Sequence, residues 1–297
     1  MKLRPSVFAS HGMALFTAIA WGSSFIASKI LLESYSPAQV MLMRFVLAYI
    51  ALWICCPKTM KLSFREELLF AALALSGCSI YFLLENSALT YTYASNVSII
   101  VAAAPILTAL ALPLFYRDEK LSSGSIFGFA VAIVGVAMVV FNGQVVLQLS
   151  PLGDLLSLGA AACWAIYSVI LRRLMNKYDD LLMTRRLMLW GFITGLPIAL
   201  MEGRSFSLAP LMNGEYIFCL LFLSFVCSAL GYIFWNSASR RLGVVTVCNY
   251  VYVIPFFTML TGVVVLGEPL SLMGVGGAVL ITLGMIIADR KARRVSE

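Results

Sequence analysis

Ten apolar runs of about 18 to 23 residues each divide this chain almost from end to end, and a run of that length has few places to go. They cover 11–32, 38–56, 66–85, 93–116, 122–141, 152–174, 183–201, 215–237, 244–266 and 271–289, with only short polar stretches between them. Each is long enough to cross a bilayer as a helix. Inside lipid, only helices and closed barrels can satisfy every backbone group. The runs are too long for barrel strands of about 9–11 residues and lack their strict alternation. The expected fold is therefore an all-α membrane protein of ten transmembrane helices.

Composition agrees. Of 297 residues, 61% are hydrophobic and 12% are charged, whereas a soluble domain carries roughly a quarter of its residues as charges. The short connections leave no room for a soluble domain. Lys2 and Arg4 precede the first run as they would in a signal peptide, but the run is long and matches 152–174 in the second half. It is expected to stay as the first helix.

The formal charge of +7 is topological. If the N-terminus is cytoplasmic, 18 of the 21 Lys and Arg fall on the cytoplasmic side; Arg204 alone lies in an outer loop, and Lys29 and Arg44 lie within spans. That asymmetry follows the positive-inside rule and sets both termini in the cytoplasm. It removes nucleic acid from the expected partners. The seven cysteines lie in or beside spans, in no spacing that suits a disulfide framework or zinc.

One half of the chain reads as a degenerate copy of the other. Pro105 recurs as Pro255 at an offset of 150, and Glu85-Asn86-Ser87-Ala88 matches Trp235-Asn236-Ser237-Ala238 at the same step. Glu119-Lys120-Leu121-Ser122 matches Glu268-Pro269-Leu270-Ser271 at 149, with Gly128/Gly277 and Gly135/Gly284 keeping that step. Five spans per copy is an odd number, so the second copy enters the membrane from the opposite face. The halves are then two inverted five-helix repeats, a device of secondary transporters working by alternating access.

These motifs, in this order and repeated, resemble those of the drug/metabolite transporter superfamily, the EamA-type branch most closely. The resemblance covers roughly 12–142 and 152–289, and divides the chain into repeats at 1–145 and 146–297. It implies a secondary transporter in the cell's inner membrane, with a central cavity lined by helices of both halves, most often exporting metabolites or amino acids. It implies a small-molecule substrate, a monomer or homodimer, and no cofactor or metal. One departure stands out. Where small multidrug resistance relatives carry a membrane-embedded glutamate, this chain has Trp21, eight residues before Lys29, and again Trp164, eight before Arg172. Proton-coupled export of lipophilic cations by that glutamate is not expected.

Candidate substrate contacts come from side chains at unusual depth. Arg44 falls near the middle of its span, where a charge costs roughly 2.5–3.5 kcal/mol on insertion scales. Its planar fork suits a carboxylate or phosphate; the structural alternative pairs it with Glu33, Glu85 or helix-end carbonyls. Trp21 and Trp164 sit near the bilayer midplane although Trp prefers the interface. Trp21, Ser24 and Ser28 share a helix face, as do Trp164, Tyr167 and Ser168. Tyr232, Trp235 and Asn236 form another polar-aromatic face, and Asn249 with Tyr252 a fourth. Aromatic walls with a few placed polar groups describe a small-molecule pocket, while interhelical packing remains the alternative use. Pro105 and Pro255, mid-span, are expected to kink their helices and are hinge candidates.

Four charged residues have blander expectations. Lys29 is expected to snorkel to the outer interface, and Glu85 to be solvated at the outer end of its helix. Glu119 and Glu268 are expected to cap the helices that come after them. The rival classes are an intramembrane enzyme and a channel or lipid scramblase. Against the enzyme, His11 is the only histidine, shows no partner in the sequence, and neither HExxH nor a P-loop is present.

Overall fold

The computed structural model describes residues 6–116, 123–140, 150–268 and 272–296, and every regular element among them is helical. In chain order these are α1 (Val7–Leu32), α2 (Pro37–Cys55), α3 (Phe64–Tyr91), α4 (Ala94–Phe115) and α5 (Ser123–Val140). Next come α6 (Pro151–Leu174), α7 (Asp180–Met201), α8 (Gly214–Leu242), α9 (Val244–Leu266) and α10 (Leu272–Ser296). Seven of them, α1 to α4, α6, α8 and α9, are long and apolar enough to cross a membrane. The other predicted runs are also helical; α7 opens on Asp180 and carries Arg185 and Arg186 in its second turn.

Local chemistry sets where the helices begin. Ser36 accepts from the Gln39 amide at 3.2 Å while the Gln39 side chain accepts from the Ser36 amide at 3.0 Å, and Pro37 fits the first turn, where its missing N–H costs nothing. Ser63 and Glu66 repeat that reciprocal cap on α3. Ser150, Asp179 and Asn213 cap α6, α7 and α8 with single side-chain acceptors. Gly243, at φ +88, turns the chain between α8 and α9 in a conformation that a side chain would strain.

Three helices contain π turns: Leu75–Ser79 in α3, Phe222–Leu230 in α8 and Gly262–Leu266 in α9. Two spans are also interrupted near their prolines. α4 breaks at Ala102 and Ala103 and restarts at Ala104, with Pro105 in the new first turn. In α9 a 3-10 stretch, Asn249–Val253, precedes the α-helical segment Ile254–Thr261, and Pro255 again occupies the first turn of that segment. The expected kinks are present as breaks just before Pro105 and Pro255, where each ring sits in a first turn and removes no helical hydrogen bond.

The packing interleaves the two halves. α1 lies against α8 and α9, α6 lies against α3 and α4, α2 pairs with α7, and α5 pairs with α10. Where α5 meets α10 the backbones nearly touch: a Cβ at Gly284 would lie 2.4 Å from the Gly128 carbonyl oxygen. Lipid supplies no hydrophobic drive between helices, so close approach through small residues does that work. Apolar side chains fill the core and also cover much of the outside, and a few polar groups lie deep inside. Leu114, Leu155 and Val264 face outward, whereas Arg44, Glu85, Asn86 and Asn236 are buried.

Candidate functional site

The centre of the molecule is built around two π turns that stand in matching positions. Gly77 in α3 and Cys227 in α8 are 150 residues apart, the step of the sequence repeat. A π turn bonds each amide five residues back, widening the helix and exposing backbone groups, and such turns concentrate at functional sites. Here an aromatic donor takes each carbonyl. The Tyr232 hydroxyl donates to the Gly77 carbonyl at 2.7 Å, and the Trp21 indole N–H donates to the Cys227 carbonyl at 3.0 Å. Gly77 has no room for a side chain, because a Cβ there would lie 2.1 Å from the Tyr167 ring.

Around these bonds the rings form one cluster. Trp21 lies 5.1 Å from Trp164, 5.5 Å from Tyr232 and 4.8 Å from Trp235, measured between ring centroids. Trp164 lies 4.8 Å from Tyr167 and 5.4 Å from Tyr81. Most contacts are tilted or edge-to-face, the arrangement aromatic quadrupoles favour. Asn236 anchors one side, accepting from the Tyr167 hydroxyl at 3.1 Å and donating to the Thr184 hydroxyl at 3.2 Å. Trp21, Trp164, Tyr167, Tyr232, Trp235 and Asn236 are thus brought together from α1, α6 and α8, and all are buried.

The remaining candidates divide. The Ser24 hydroxyl is used by its own helix, donating to the Trp21 carbonyl at 2.7 Å. Asn249 is half-buried, and Tyr252 faces Ile106 on α4 beside Cys248, outside the ring cluster. Cys248 links the two regions, with its thiol 3.7 Å from the Ser168 hydroxyl. Pro105 and Pro255 are buried at the helix restarts.

Arg44 is completely buried. Its Nε donates to the Ser228 hydroxyl at 2.9 Å, and its guanidinium carbon lies 4.0 Å from the centroid of the Phe82 ring. Ser228 itself donates to the Leu223 carbonyl at 2.8 Å, so the π turn of α8 sets the position of the arginine's anchor. Both terminal nitrogens of Arg44 are buried without a hydrogen-bond partner. Glu33, one of its expected partners, instead accepts from the Tyr216 hydroxyl at 3.0 Å. Glu85 is within electrostatic reach of Arg44 without closing into an ion pair.

Several expectations are corrected. Glu85 is not solvated: only 2% of it is exposed, because α3 runs on to Tyr91 and carries the residue inward. Lys29 does not simply snorkel; its ammonium lies 3.1 Å from a Glu268 carboxylate oxygen and 3.2 Å from the Thr92 carbonyl. Glu268 caps a different helix from the one expected. It accepts from the Ala94 and Ser95 amides at 2.9 and 3.3 Å, and so closes the N-terminus of α4. The helix entry at 269–271, and Glu119, lie outside the described residues. His11 does have a partner, the Tyr250 hydroxyl at 2.7 Å.

The opposite end is tied by its own polar network. Arg186 pairs with Glu67, whose carboxylate also accepts from the Trp190 indole at 2.9 Å. Arg185 donates to the Cys56 and Lys58 carbonyls, and Arg240 pairs with Asp180 at 2.6 Å. Tyr178 hydrogen-bonds the Glu66 carboxylate. Burial, and then that carboxylate, push Tyr178 up to about 12. Sequence reasoning missed Tyr81, Phe82 and the depth of Glu85. The available signal was the repeat itself, since Glu85 occupies the position that Trp235 occupies in the second half.

Comparison with known proteins gives a consistent answer. The profile of the EamA-like transporter family matches residues 9–141 and 151–288. A protein of Archaeoglobus fulgidus described as an "Uncharacterized transporter" is 30% identical, the alignment covering 95% of this chain and 98% of that protein. The "Probable terminal-alkyne amino-acid exporter" of Streptantibioticus cattleyicolor is 29% identical over 100% of this chain and 98% of its own. The "Probable amino-acid metabolite efflux pump" of Salmonella typhimurium is 28% identical over 93% of each. A protein of known crystal structure has the same fold, with a TM-score of 0.70 at 17% identity, covering 98% of this chain and 100% of that one.

Proposed function

The chain belongs to the EamA-like transporter family, and from that membership we propose that it exports a small amino-acid-like metabolite by alternating access. It is a multi-pass membrane protein. In this reading its ten helices all cross the inner membrane, with both termini in the cytoplasm. Residues 1–145 and 146–297 form the two inverted repeats, acting as a monomer or homodimer without cofactor or metal.

The observation that carries the reading is the matched pair of π turns, in which the carbonyls at one repeat position, Gly77 and Cys227, are each held by an aromatic donor from another helix. The packing supports it as well. Exchanging every helix for the one five places along the chain leaves the main contacts unchanged: α1 on α8 and α9 becomes α6 on α3 and α4, while α2–α7 and α5–α10 map onto themselves. Halves related in that way can exchange conformations, which opens one face while closing the other. The aromatic cluster lies between them, where a substrate would be held. The names of the relatives favour amino-acid metabolites as cargo.

The direct test is export from intact cells. Overexpression should protect cells against toxic amino-acid analogues while the unmodified solute accumulates in the medium. Protection with chemical conversion of the solute, and none exported intact, would favour an enzyme instead. A reporter fused at each terminus should read cytoplasmic at both.

A further inference from the structure

The unpaired atoms around Arg44 point to a more specific ligand. Arg44 is held at one edge by Ser228 and on one face by Phe82, which leaves both terminal nitrogens buried and without an acceptor. On the neighbouring helix, one carboxylate oxygen of Glu85 is likewise buried and without a donor. Arg44 is within electrostatic reach of Glu85, which also takes the Tyr81 hydroxyl, and the two do not meet as an ion pair. Polar groups this deep are normally satisfied, and ions more strictly than neutral groups. An unfilled donor fork beside an unfilled acceptor is the complement of a ligand carrying the opposite set.

We infer that Arg44 and Glu85 are the two poles of a site for the zwitterionic end of a free α-amino acid, its carboxylate on Arg44 and its ammonium on Glu85. This rests on the proposed export and names what is recognised. Charge balance selects the class. With Glu85 ionised the two protein groups sum to zero, so a zwitterion leaves the buried site neutral and also fills the Glu85 oxygen that a simple carboxylate would leave unmatched. A phosphate, a simple carboxylate or an amine would each leave a net charge in a region where charge is costly. The guanidinium fork offers a carboxylate two parallel hydrogen bonds. From these poles the rings lead into the cluster, with Phe82 4.9 Å from Tyr81 and Tyr81 5.4 Å from Trp164. The ligand's side chain would lie against that aromatic surface, which favours apolar and aromatic amino acids.

The test uses the full-length protein in detergent and in proteoliposomes. The probes are the proteinogenic L-amino acids, with the N-acetyl and α-amide derivatives of whichever binds. At least one free amino acid should bind, and masking either charged group should weaken it by about a hundredfold or more, as expected when one partner of a buried charge pair is removed. Glu85→Gln should lose the free amino acid's advantage over its N-acetyl form. Arg44→Gln should lose the advantage over the amide. If Arg44→Gln fails to fold, Glu85→Gln and the wild-type derivative series still decide. Masked derivatives that bind as well as the parent would overturn the assignment, as would export of another solute with no free amino acid bound. Vesicles that move no solute of any class would overturn the transport reading instead.

Discussion

The Lys29 ammonium meets the Glu268 carboxylate at 3.1 Å, and through it the two halves of the chain are joined at the N-terminus of α4. Lys29 is about a quarter exposed on its side chain and Glu268 nearly buried, so the pair lies between a surface bridge and a buried one. Replacing Glu268 by Gln leaves Lys29 facing an uncharged partner and weakens the cap on α4. We expect a loss of about 1–3 kcal/mol, below the full cost of breaking a buried pair. A double-mutant cycle with Lys29→Met, read by thermal unfolding in detergent, should give a coupling of at least about 0.5 kcal/mol. Additive losses would show that the two charges act separately.

Gly77→Ala places a methyl group where the Tyr167 ring now lies. The ring must move, and with it the Tyr167 hydrogen bond to Asn236. Overpacking of this kind costs about 1–3 kcal/mol. Transport should fall together with stability, and the losses from Gly77→Ala and Tyr167→Ala should not add, because the clash is absent once the ring is gone. A stable single variant with normal transport would mean that the π turn relaxes freely.

Trp21→Phe and Tyr232→Phe each remove one donor to a π-turn carbonyl while keeping an aromatic ring. Each should cost about 1–3 kcal/mol, because a buried acceptor is left unmatched. Their effects on transport should be alike, because the carbonyls they hold, Gly77 and Cys227, are at matched positions although the two donors are not. A large loss in one with none in the other would argue against equivalent roles for the two turns.

Trp164→Ala should change which solutes are carried more than it changes the amount of folded protein. Its ring touches Trp21, Tyr81, Tyr167, Tyr232 and Trp235, so it borders most of the cluster. Competition by a panel of amino acids against one transported solute is the measurement. An unchanged competition order with poor folding would assign Trp164 to packing.

Tyr178 gives a pH dependence with a definite sign. Its value is raised from 10.0 to about 12, so the folded protein holds the phenol proton more tightly than the unfolded chain does. The contribution is complete below pH 10 and is lost as the pH rises toward 12. Tyr178→Phe should therefore flatten the alkaline side of the thermal stability profile and leave the neutral side's slope unchanged. An identical alkaline decline in the variant would assign the effect to other groups.

The helical plan could be read from hydropathy because each apolar run must be long enough to cross lipid, and that length excludes most alternatives. The ends were harder. Glu85, Asn86 and Ser87 look like the end of a span, yet α3 continues through them to Tyr91 because the neighbouring helices supply a polar interior there. The π turns leave no mark in composition: Leu75–Ser79 uses the same small and apolar residues as an α-helix would. The aromatic faces were visible at helical spacing. Their assembly into one cluster was not, since it depends on how α1, α6 and α8 cross. Glu268 shows the same limit, for its partners at Ala94 and Ser95 are remote in sequence.

A π turn is what an α-helix retains after gaining a residue without surrendering its ladder of hydrogen bonds. Deleting one residue from Phe222–Leu230 would swing the two ends of α8 against each other by about 100°. The Cys227 carbonyl and the Ser228 hydroxyl, which serve Trp21 and Arg44, could not both keep their bearings on Tyr232 and Trp235. The aromatic wall and the buried cation therefore share one angular setting, and a length change too small to disturb the span's fit to the bilayer would uncouple them.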